Sequence, residues 1–157
     1  LGDVYKRQTQ EWARIKEVSK QYFSEKGAVY HYYGTANRTL QDYLLEDTVR
    51  YKKYFYAIRP LLAARYIEEY HTAPPVLFDD LLKMDLPGDL RQAIEELLTV
   101  KKRTAEREEN PQMPVIKEFI EAETARQKKI ADDLADDHNR DYAALNCVFA
   151  DIITKGK

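Results

Sequence analysis

Apolar residues recur at helical spacing along most of the chain. The first apolar segment begins near Thr9, is expected to end before Gly27, and carries Trp12, Ile15, Val18 and Tyr22. The second has a stripe formed by Val29, Tyr32, Tyr33, Ala36, Leu40, Tyr43 and Leu44. The side of that helix opposite the stripe carries His31, Arg38 and Asp42. Because no segment alternates convincingly between apolar and polar residues, we expect few strands or none.

The third segment, from about Thr48 to Tyr70, is apolar in every direction. A helix with this pattern is normally central and buried. Pro60 lies inside it, has no N–H to donate and places its ring against the carbonyl of residue 56. The pattern therefore predicts a central helix kinked near Pro60, or two abutting helices with Pro60 near the start of the second.

Four further helices are predicted beyond this segment. One runs from Phe78 to Met84, a longer one is capped by Asp89, and a third opens with Val115. The last has a stripe that contains Tyr142, Leu145, either Val148 or Phe149, and Ile152. On that last helix we expect Cys147 to be a small core residue. The sequence therefore predicts an all-α bundle of about six to seven helices.

Composition and charge narrow the class of protein. The 157 residues suit one compact domain, and the 44% hydrophobic content excludes a disordered chain. Lys and Arg total 25 against 27 Asp and Glu, so no global basic excess drives unspecific nucleic-acid binding. A lone cysteine cannot form an internal disulfide, which favours a reducing, cytoplasmic setting. No apolar stretch approaches the roughly 20 residues of a membrane helix, so no membrane partner is expected.

The usual signatures of a catalytic centre are absent from the sequence. The five glycines are isolated, so no Gly-rich loop cradles phosphate, and one Cys with three scattered His does not form a zinc motif. An acidic string, Asp132-Asp133 and Asp136-Asp137, precedes His138 and Asp141 and offers oxygen ligands to a divalent metal. Like charges at this spacing are typical of a solvated helix face, so we predict no metal ligand and no catalytic residue.

One group of residues in the apolar third segment stands out chemically. Lys52, Tyr56 and Arg59 have i, i+4 and i+7 spacing and therefore share a helix face, with Lys53 beside them. Burying cations without partners is costly, so they require carboxylates or an anionic ligand. Arginine offers a planar fork to phosphate, lysine a point charge, and tyrosine a hydroxyl and a stacking face.

Two structural explanations compete with a phosphate site. The first pairs these cations with a carboxylate of Asp42, Glu46 or Asp47. In the second, the tyrosines are core residues whose hydroxyls reach water. His31 and Arg38, separated by seven positions, could face the same groove as Arg59, which is a weaker expectation because a lone histidine on a Tyr-rich helix is usually a structural hydrogen-bonding residue.

Three stretches of the sequence resemble a known family. They are Tyr30-His-Tyr-Tyr-Gly-Thr-Ala36, then Lys52-Lys-Tyr-Phe-Tyr-Ala-Ile-Arg-Pro-Leu-Leu-Ala-Ala-Arg65, and Pro74-Pro75-Val followed by Phe78 to Leu82. Together they resemble the C-terminal half of predicted nucleotidyltransferases of the DNA polymerase β superfamily, including those associated with RNA ligases. The resemblance covers about residues 10 to 125. The family's upstream catalytic half, with its Gly-Ser turn and Mg²⁺-binding Asp-x-Asp pair, has no counterpart in this sequence.

The first eight residues, Leu1-Gly-Asp-Val-Tyr-Lys-Arg-Gln8, resemble a translated transposase adapter used to prepare sequencing libraries. An ordinary polar or disordered tail is the alternative. The adapter resemblance implies a fragment of an environmental, metagenomic gene whose true start lies upstream. We therefore expect residues 1–8 to be foreign and residues 9–157 to be the helical C-terminal domain of a truncated nucleotidyltransferase.

The resemblance implies transfer of a nucleoside monophosphate from an NTP to an acceptor such as an RNA end. It implies Mg²⁺ and NTP for the full-length enzyme, neither held by this fragment alone, with the missing N-terminal catalytic domain, NTP and RNA as partners. Lys52, Lys53 and Arg59 would contact phosphate, Tyr56 would orient or stack, and His31 and Arg38 would support them. Two other functions remain open: a non-catalytic helical protein-interaction module, and an RNA-binding domain using residues 101–103 and 126–129.

Overall fold

The computed structural model describes residues 10–101 and 108–155. Within these ranges the chain is mostly helical, which confirms the all-α prediction. The helices are α1 (Gln10–Ser19), α2 (Glu25–Tyr43), α3 (Tyr51–Tyr70), α4 (Phe78–Leu81), α5 (Gly88–Lys101), α6 (Pro114–Asp133) and α7 (Ala143–Lys155). A 3₁₀ turn, Lys20–Tyr22, follows α1, and β1 (Thr48–Val49) pairs antiparallel with β2 (Asn110–Pro111). Residues 1–8, predicted to be an adapter or a tail, lie outside the described residues.

The elements form two compact units. The larger unit, Glu25–Ala135, holds α2 to α6 and the two short strands. The smaller unit takes α1 and the 3₁₀ turn from one end of the sequence and α7 from the other. The candidate site lies entirely in the larger unit.

Helix α3 is the centre of the larger unit, as its all-round apolar pattern predicts. It packs against α2, α4, α5 and α6, and its fully buried residues include Tyr54, Ile58, Leu61 and Leu62. The buried Tyr54 hydroxyl accepts a hydrogen bond from the Met113 N–H at 2.9 Å, and burial raises the pKa of Tyr54 above its usual value. This bond joins the middle of the core to the residue that precedes α6.

The helix runs unbroken from Tyr51 to Tyr70 with Pro60 inside it, so the prediction of two abutting helices is wrong. Apolar residues before and after Pro60 are buried in one core, and this packing offsets the missing backbone bond. Pro60 is itself buried, and it still leaves the carbonyl of Tyr56 without a donor at the i+4 position.

Several predicted element boundaries are wrong by a few residues. Gly27 does not follow the first helix but lies in the first turn of α2, because the chain turns extended at Phe23 and starts a new helix at Glu25. Helix α4 ends at Leu81, before Met84. Asp89 is the second residue of α5, and its carboxylate accepts the N–H of Leu90 at 2.8 Å. Helix ends depend on loop geometry that periodicity alone does not specify.

In the smaller unit α1 lies against α7. Arg14 forms an ion pair with Asp151 at 2.8 Å, and the ring of Tyr22 stacks on Tyr142 with centroids 5.7 Å apart. Val148 is the buried member of the α7 stripe, whereas Phe149 is 64% exposed. Cys147 is also exposed, so its prediction as a core residue is wrong: it does not lie on the side of α7 that buries Val148.

A polar network joins α3 to α6. Arg126 forms a bidentate pair with Glu68, at 2.8 and 3.0 Å, and also donates to both oxygens of Glu123. The amide of the fully buried Gln127 donates to the same two carboxylates. The hydrogen bonds that Arg126 donates to Glu123 and Glu68 raise its pKa. Since Glu123 is buried, this network holds α6 in one register against α3.

None of the described helices is both long and apolar enough to cross a membrane.

Candidate functional site

A cavity of about 340 Å³ opens between α2, α3, α4 and residues 74–76. Helix α2 contributes His31, Tyr32 and Thr35, and α3 contributes Phe55, Tyr56, Arg59, Pro60 and Ala63. The opposite wall consists of Pro74, Pro75, Val76 and Leu81. Most of these side chains are apolar or aromatic, and the polar ones lie on α2 and α3.

The position of Tyr56 and Arg59 follows from the helical period of α3. Both residues are exposed, with Tyr56 47% exposed, while their neighbours Ala57 and Ile58 are fully buried. The expectation that Arg59 is a buried cation is therefore wrong: this face of α3 is the part that its neighbours leave uncovered. The guanidinium Nη2 of Arg59 donates to the carbonyl of Val76 at 2.5 Å, which ties residues 74–76 to the helix.

A second depression adjoins this cavity along α2. It is lined by Tyr30, His31, Gly34, Thr35, Arg38 and Thr39, and so shares His31 and Thr35 with the cavity. We call the cavity and the depression together the α2–α3 groove. Arg59 lines the cavity, Arg38 lines the depression, and no Asp or Glu is among the described residues that line either part.

Arg38 is exposed, and within residues 10–101 and 108–155 it has no ion-pair or hydrogen-bond partner. His31 packs its ring edge-on against Tyr32, with centroids 5.4 Å apart. The hydroxyl of Thr35 donates to the backbone carbonyl of His31 at 2.9 Å. The groove therefore offers an uncommitted guanidinium beside an imidazole that aromatic packing holds in place.

The lysines lie apart from this groove. Lys53 lines a separate depression that also contains Asp42 and Glu46. Its Nζ is 3.4 Å from the ring centroid of Tyr43 and 5.6 Å from that of Tyr56. The Nζ of Lys52 is 6.0 Å from the Tyr56 ring centroid. Both lysines are half-buried. The structure thus joins His31, Tyr56 and Arg59 in one cavity, with Arg38 adjoining, and places the lysines beside Tyr56 outside it.

Two features of the groove are not predicted by the sequence pattern. Gly34 lies within α2, and a Cβ added there would meet no described residue within 4 Å, so packing among the described residues does not require glycine. A glycine inside a helix lowers the stability of that helix. A glycine within a helical pattern was therefore the signal in the sequence that could have indicated a functional reason for Gly34. Residues 74–76 form the opposite wall, and only the Pro-Pro pair marked them as a rigid connection.

Beside the groove, α2 is fastened to α6. The hydroxyl of Tyr30 donates to the carboxylate of Asp132, which also pairs with Lys128. Hydrogen bonds from Lys128 and Tyr30 lower the pKa of Asp132, and the bond to Asp132 raises the pKa of Tyr30. All three groups are exposed, so these contacts fix geometry more than they add stability.

The acidic string places Asp136, Asp137 and His138 with ligand atoms within 4.8 Å of one another, and all three residues are exposed. Asp136 accepts hydrogen bonds from the His138 Nδ1 at 2.6 Å and from Arg140 at 2.7 Å. Hydrogen bonding from His138 lowers the pKa of Asp136. These carboxylates are engaged by neighbours in the way usual for a surface ion-pair cluster.

Of the two basic patches, residues 101–103 and 126–129, the second is mostly paired with carboxylates. Arg126 is committed to Glu68 and Glu123, and Lys128 to Asp132. Residues 102 and 103 lie outside the described residues. The patch at 126–129 is therefore largely neutralised by intramolecular pairs.

Comparison with known proteins identifies the family. The chain matches the profile of the RNA repair pathway DNA polymerase beta family over residues 2–151 and belongs to that family. The matched range includes residues 2–8, for which an adapter origin stays a prediction.

A curated relative, the uncharacterized protein YcgL of Bacillus subtilis (strain 168), is 35% identical over 122 residues. The alignment covers 77% of this chain but only 47% of the relative, so the chain spans about half of that protein's length. No solved structure matches the chain.

Proposed function

We propose that this chain is the helical part of a metal-dependent nucleotidyltransferase that transfers a nucleoside monophosphate from an NTP to an acceptor. The family's RNA repair description favours an RNA end as that acceptor. The single observation that carries the proposal is the α2–α3 groove, where Arg38, His31, Tyr56 and Arg59 lie together without a lining carboxylate among the described residues. Such a surface suits a phosphorylated aromatic ligand.

The groove does not fit the metal ions of this chemistry. Mg²⁺ takes oxygen ligands, chiefly carboxylates, and neither part of the groove is lined by one in the described chain. The whole sequence also has no Asp-x-Asp pair. In the proposed arrangement, metal-binding carboxylates belong to an N-terminal catalytic domain outside residues 9–157. The comparison with YcgL agrees with this arrangement, because the chain covers only 47% of that longer protein.

In this proposal the chain's own residues bind and orient the nucleotide. Arg38 and Arg59 supply positive charge along the groove, and Tyr56 supplies a ring between Arg59 and the two lysines. Lys52 and Lys53 extend the positive potential beyond Tyr56, and Lys53 shares its depression with Asp42 and Glu46. Electrostatic stabilisation of phosphates by such cations is a large part of phosphoryl-transfer catalysis.

In contrast to the expectation from the resemblance that this fragment alone holds no NTP, the groove predicts weak ATP binding to the 157-residue chain. The first test measures this binding by calorimetry at low salt, with and without Mg²⁺. Arg38→Ala should weaken binding about fivefold or more, since a charge-assisted contact contributes roughly 1–3 kcal/mol. Arg140→Ala is the matched control, because Arg140 is an exposed arginine outside the groove. Binding that is equally strong in wild type and Arg38→Ala would exclude the groove as the nucleotide site.

The second test uses the proposed full-length enzyme, which contains the N-terminal catalytic domain. Arg59→Ala should reduce nucleotidyl transfer far more than it reduces the yield or melting temperature of folded protein. Equal losses of activity and folded protein would instead make Arg59 a structural residue that only anchors the Val76 carbonyl.

A protein-interaction module is the second candidate, and one observation favours it. In the smaller unit, α7 exposes Phe149 (64%) and Ile153 (56%), an apolar surface of the kind that binds partners. A chain that binds no ATP at millimolar concentration would favour this function over the first.

A further inference from the structure

We propose that the cavity half of the groove is a slot for a nucleobase, and that the Arg38 half takes the phosphates of the same nucleotide. This inference rests on the proposed function and assigns the two halves of its site to different parts of one ligand. The assignment differs from the spacing-based expectation, in which Arg59 and the lysines form the phosphate site.

The size and lining of the cavity suit a planar ring system. Its volume, about 340 Å³, is near the lower end of the range of small-molecule sites, which is roughly 300–1,000 Å³. Tyr32, Phe55 and Tyr56 supply aromatic faces, and Pro75 and Val76 close the opposite side. Phe55 is held edge-on against Phe78, with centroids 5.7 Å apart, so this wall is preformed.

The helical wall of the cavity also includes a residue whose backbone carbonyl lacks its usual helical donor. The carbonyl of Tyr56 has no helical donor, because the residue four positions later is Pro60 and has no N–H. Both residues line the cavity. In the proposed slot, the exocyclic amino group of a base donates a hydrogen bond to this carbonyl of Tyr56, which Pro60 leaves without its helical donor.

Arg59 has a positioning role in this assignment. Its Nη2 is committed to the Val76 carbonyl, so the guanidinium holds residues 74–76 across the cavity and forms part of its wall. Arg38, in contrast, has no partner within the described residues and lies beside Gly34, where added atoms would meet open space. Positive charge with open space is what a phosphate chain needs.

The test compares ATP with inorganic tripolyphosphate on the full 157-residue chain, by calorimetry at low salt. ATP should bind about tenfold more tightly or better, because only ATP can fill the slot, and base–aromatic stacking has about that effect. Tyr56→Ala should abolish the difference, leaving ATP with the affinity of tripolyphosphate, while Tyr56→Phe should retain it. Arg38→Ala should weaken both ligands by the same factor.

Tyr70→Ala is the matched control, since Tyr70 is on the same helix, is equally exposed at 47% and does not line the cavity. It should leave both affinities unchanged. Equal affinities of ATP and tripolyphosphate in wild type, with no effect of Tyr56→Ala, would overturn the slot while leaving a phosphate site at Arg38 intact. Failure of ATP, tripolyphosphate and a 5′-phosphorylated oligoadenylate all to bind would overturn the proposed function as well.

The base can come from a free nucleotide or from the terminal nucleotide of an RNA. A 5′-phosphorylated four-residue oligoadenylate, titrated in parallel, distinguishes these sources. Loss of its binding in Tyr56→Ala, with ATP unbound, supports the slot for an RNA end. If Tyr56→Ala weakens the binding of ATP but not that of the oligoadenylate, the slot takes the base of a free nucleotide.

Discussion

At the scale of single residues, Arg126 has the most heavily connected side chain of the α3–α6 network. It pairs with the carboxylates of Glu68 and Glu123, of which Glu123 is only 6% exposed. A buried carboxylate that loses its cation keeps its desolvation cost without compensation. Arg65, whose Nε is 4.0 Å from Glu123, is the other cation within reach.

Arg126→Ala should therefore lower the free energy of unfolding by about 2–3 kcal/mol, measured by urea denaturation. This is below the roughly 3–5 kcal/mol for breaking a fully buried pair, because Arg126 is partly exposed and Arg65 remains nearby. Arg140→Ala, which removes an exposed pair with Asp136, should cost under about 0.5 kcal/mol. Equal costs for the two variants would mean that Glu123 does not depend on Arg126.

At the same scale, Arg38 and Arg59 differ in whether another described residue engages their guanidinium groups. Both are exposed arginines beside the groove. Arg59 donates to a main-chain carbonyl and so shapes the cavity wall, whereas Arg38 is uncommitted in the described chain. We therefore expect Arg38 to carry more of the phosphate affinity, although spacing alone favoured Arg59.

At the scale of elements, α2 carries a glycine where its helix gains nothing from one. Gly34 is within Glu25–Tyr43, and its Cβ position is open. Glycine in a helix interior is less favourable than alanine because it loses more backbone freedom on folding. The groove proposal explains its presence, since a small residue leaves room for a ligand beside Arg38.

Gly34→Ala should raise the free energy of unfolding by about 0.5–1 kcal/mol, measured by urea denaturation. Gly88→Ala is the comparison, because Gly88 also has an open Cβ position but is the first residue of α5, where intrahelical propensity counts less. Its gain should be smaller. A destabilised Gly34→Ala variant would show that a neighbour occupies the space beside α2.

The elements also show how much the sequence predicts. The all-round apolar pattern correctly placed α3 at the centre of the core, since no side of that helix suited water. Periodicity also put Lys52, Tyr56 and Arg59 on one face, because all three belong to one helix. The ends of α1 and α4 were misjudged because neighbouring loops decide where a helix stops.

At the scale of the whole molecule, the family match extends over most of the chain, whereas the chain covers about half of its curated relative. The profile of the RNA repair pathway DNA polymerase beta family covers nearly all of this chain, yet the chain covers 47% of YcgL. The described part has a groove with cations and aromatic rings but without lining carboxylates. In the proposed arrangement, binding and metal chemistry therefore belong to different parts of a longer protein.

This division predicts that the 157-residue chain with Mg²⁺, NTP and an RNA acceptor yields no nucleotidyl transfer. The parent protein should carry a Gly-Ser turn followed by an Asp-x-Asp pair upstream of Thr9, and should be active. Sequencing the upstream genomic region and assaying the longer product check both expectations. A native start codon immediately before Leu1, or turnover by the chain alone, would contradict them.

By itself the sequence determined the helices, the central position of α3, and the residue blocks that resemble the nucleotidyltransferases, because these depend on local spacing and on residue type. Only the tertiary structure decided which cations share a surface. It brought α2 and residues 74–76 against α3, joined His31 and Arg38 to Tyr56 and Arg59, and placed the lysines elsewhere. The physical reason is that the helical period determines neighbours within one helix, whereas neighbours from other segments depend on how those helices pack.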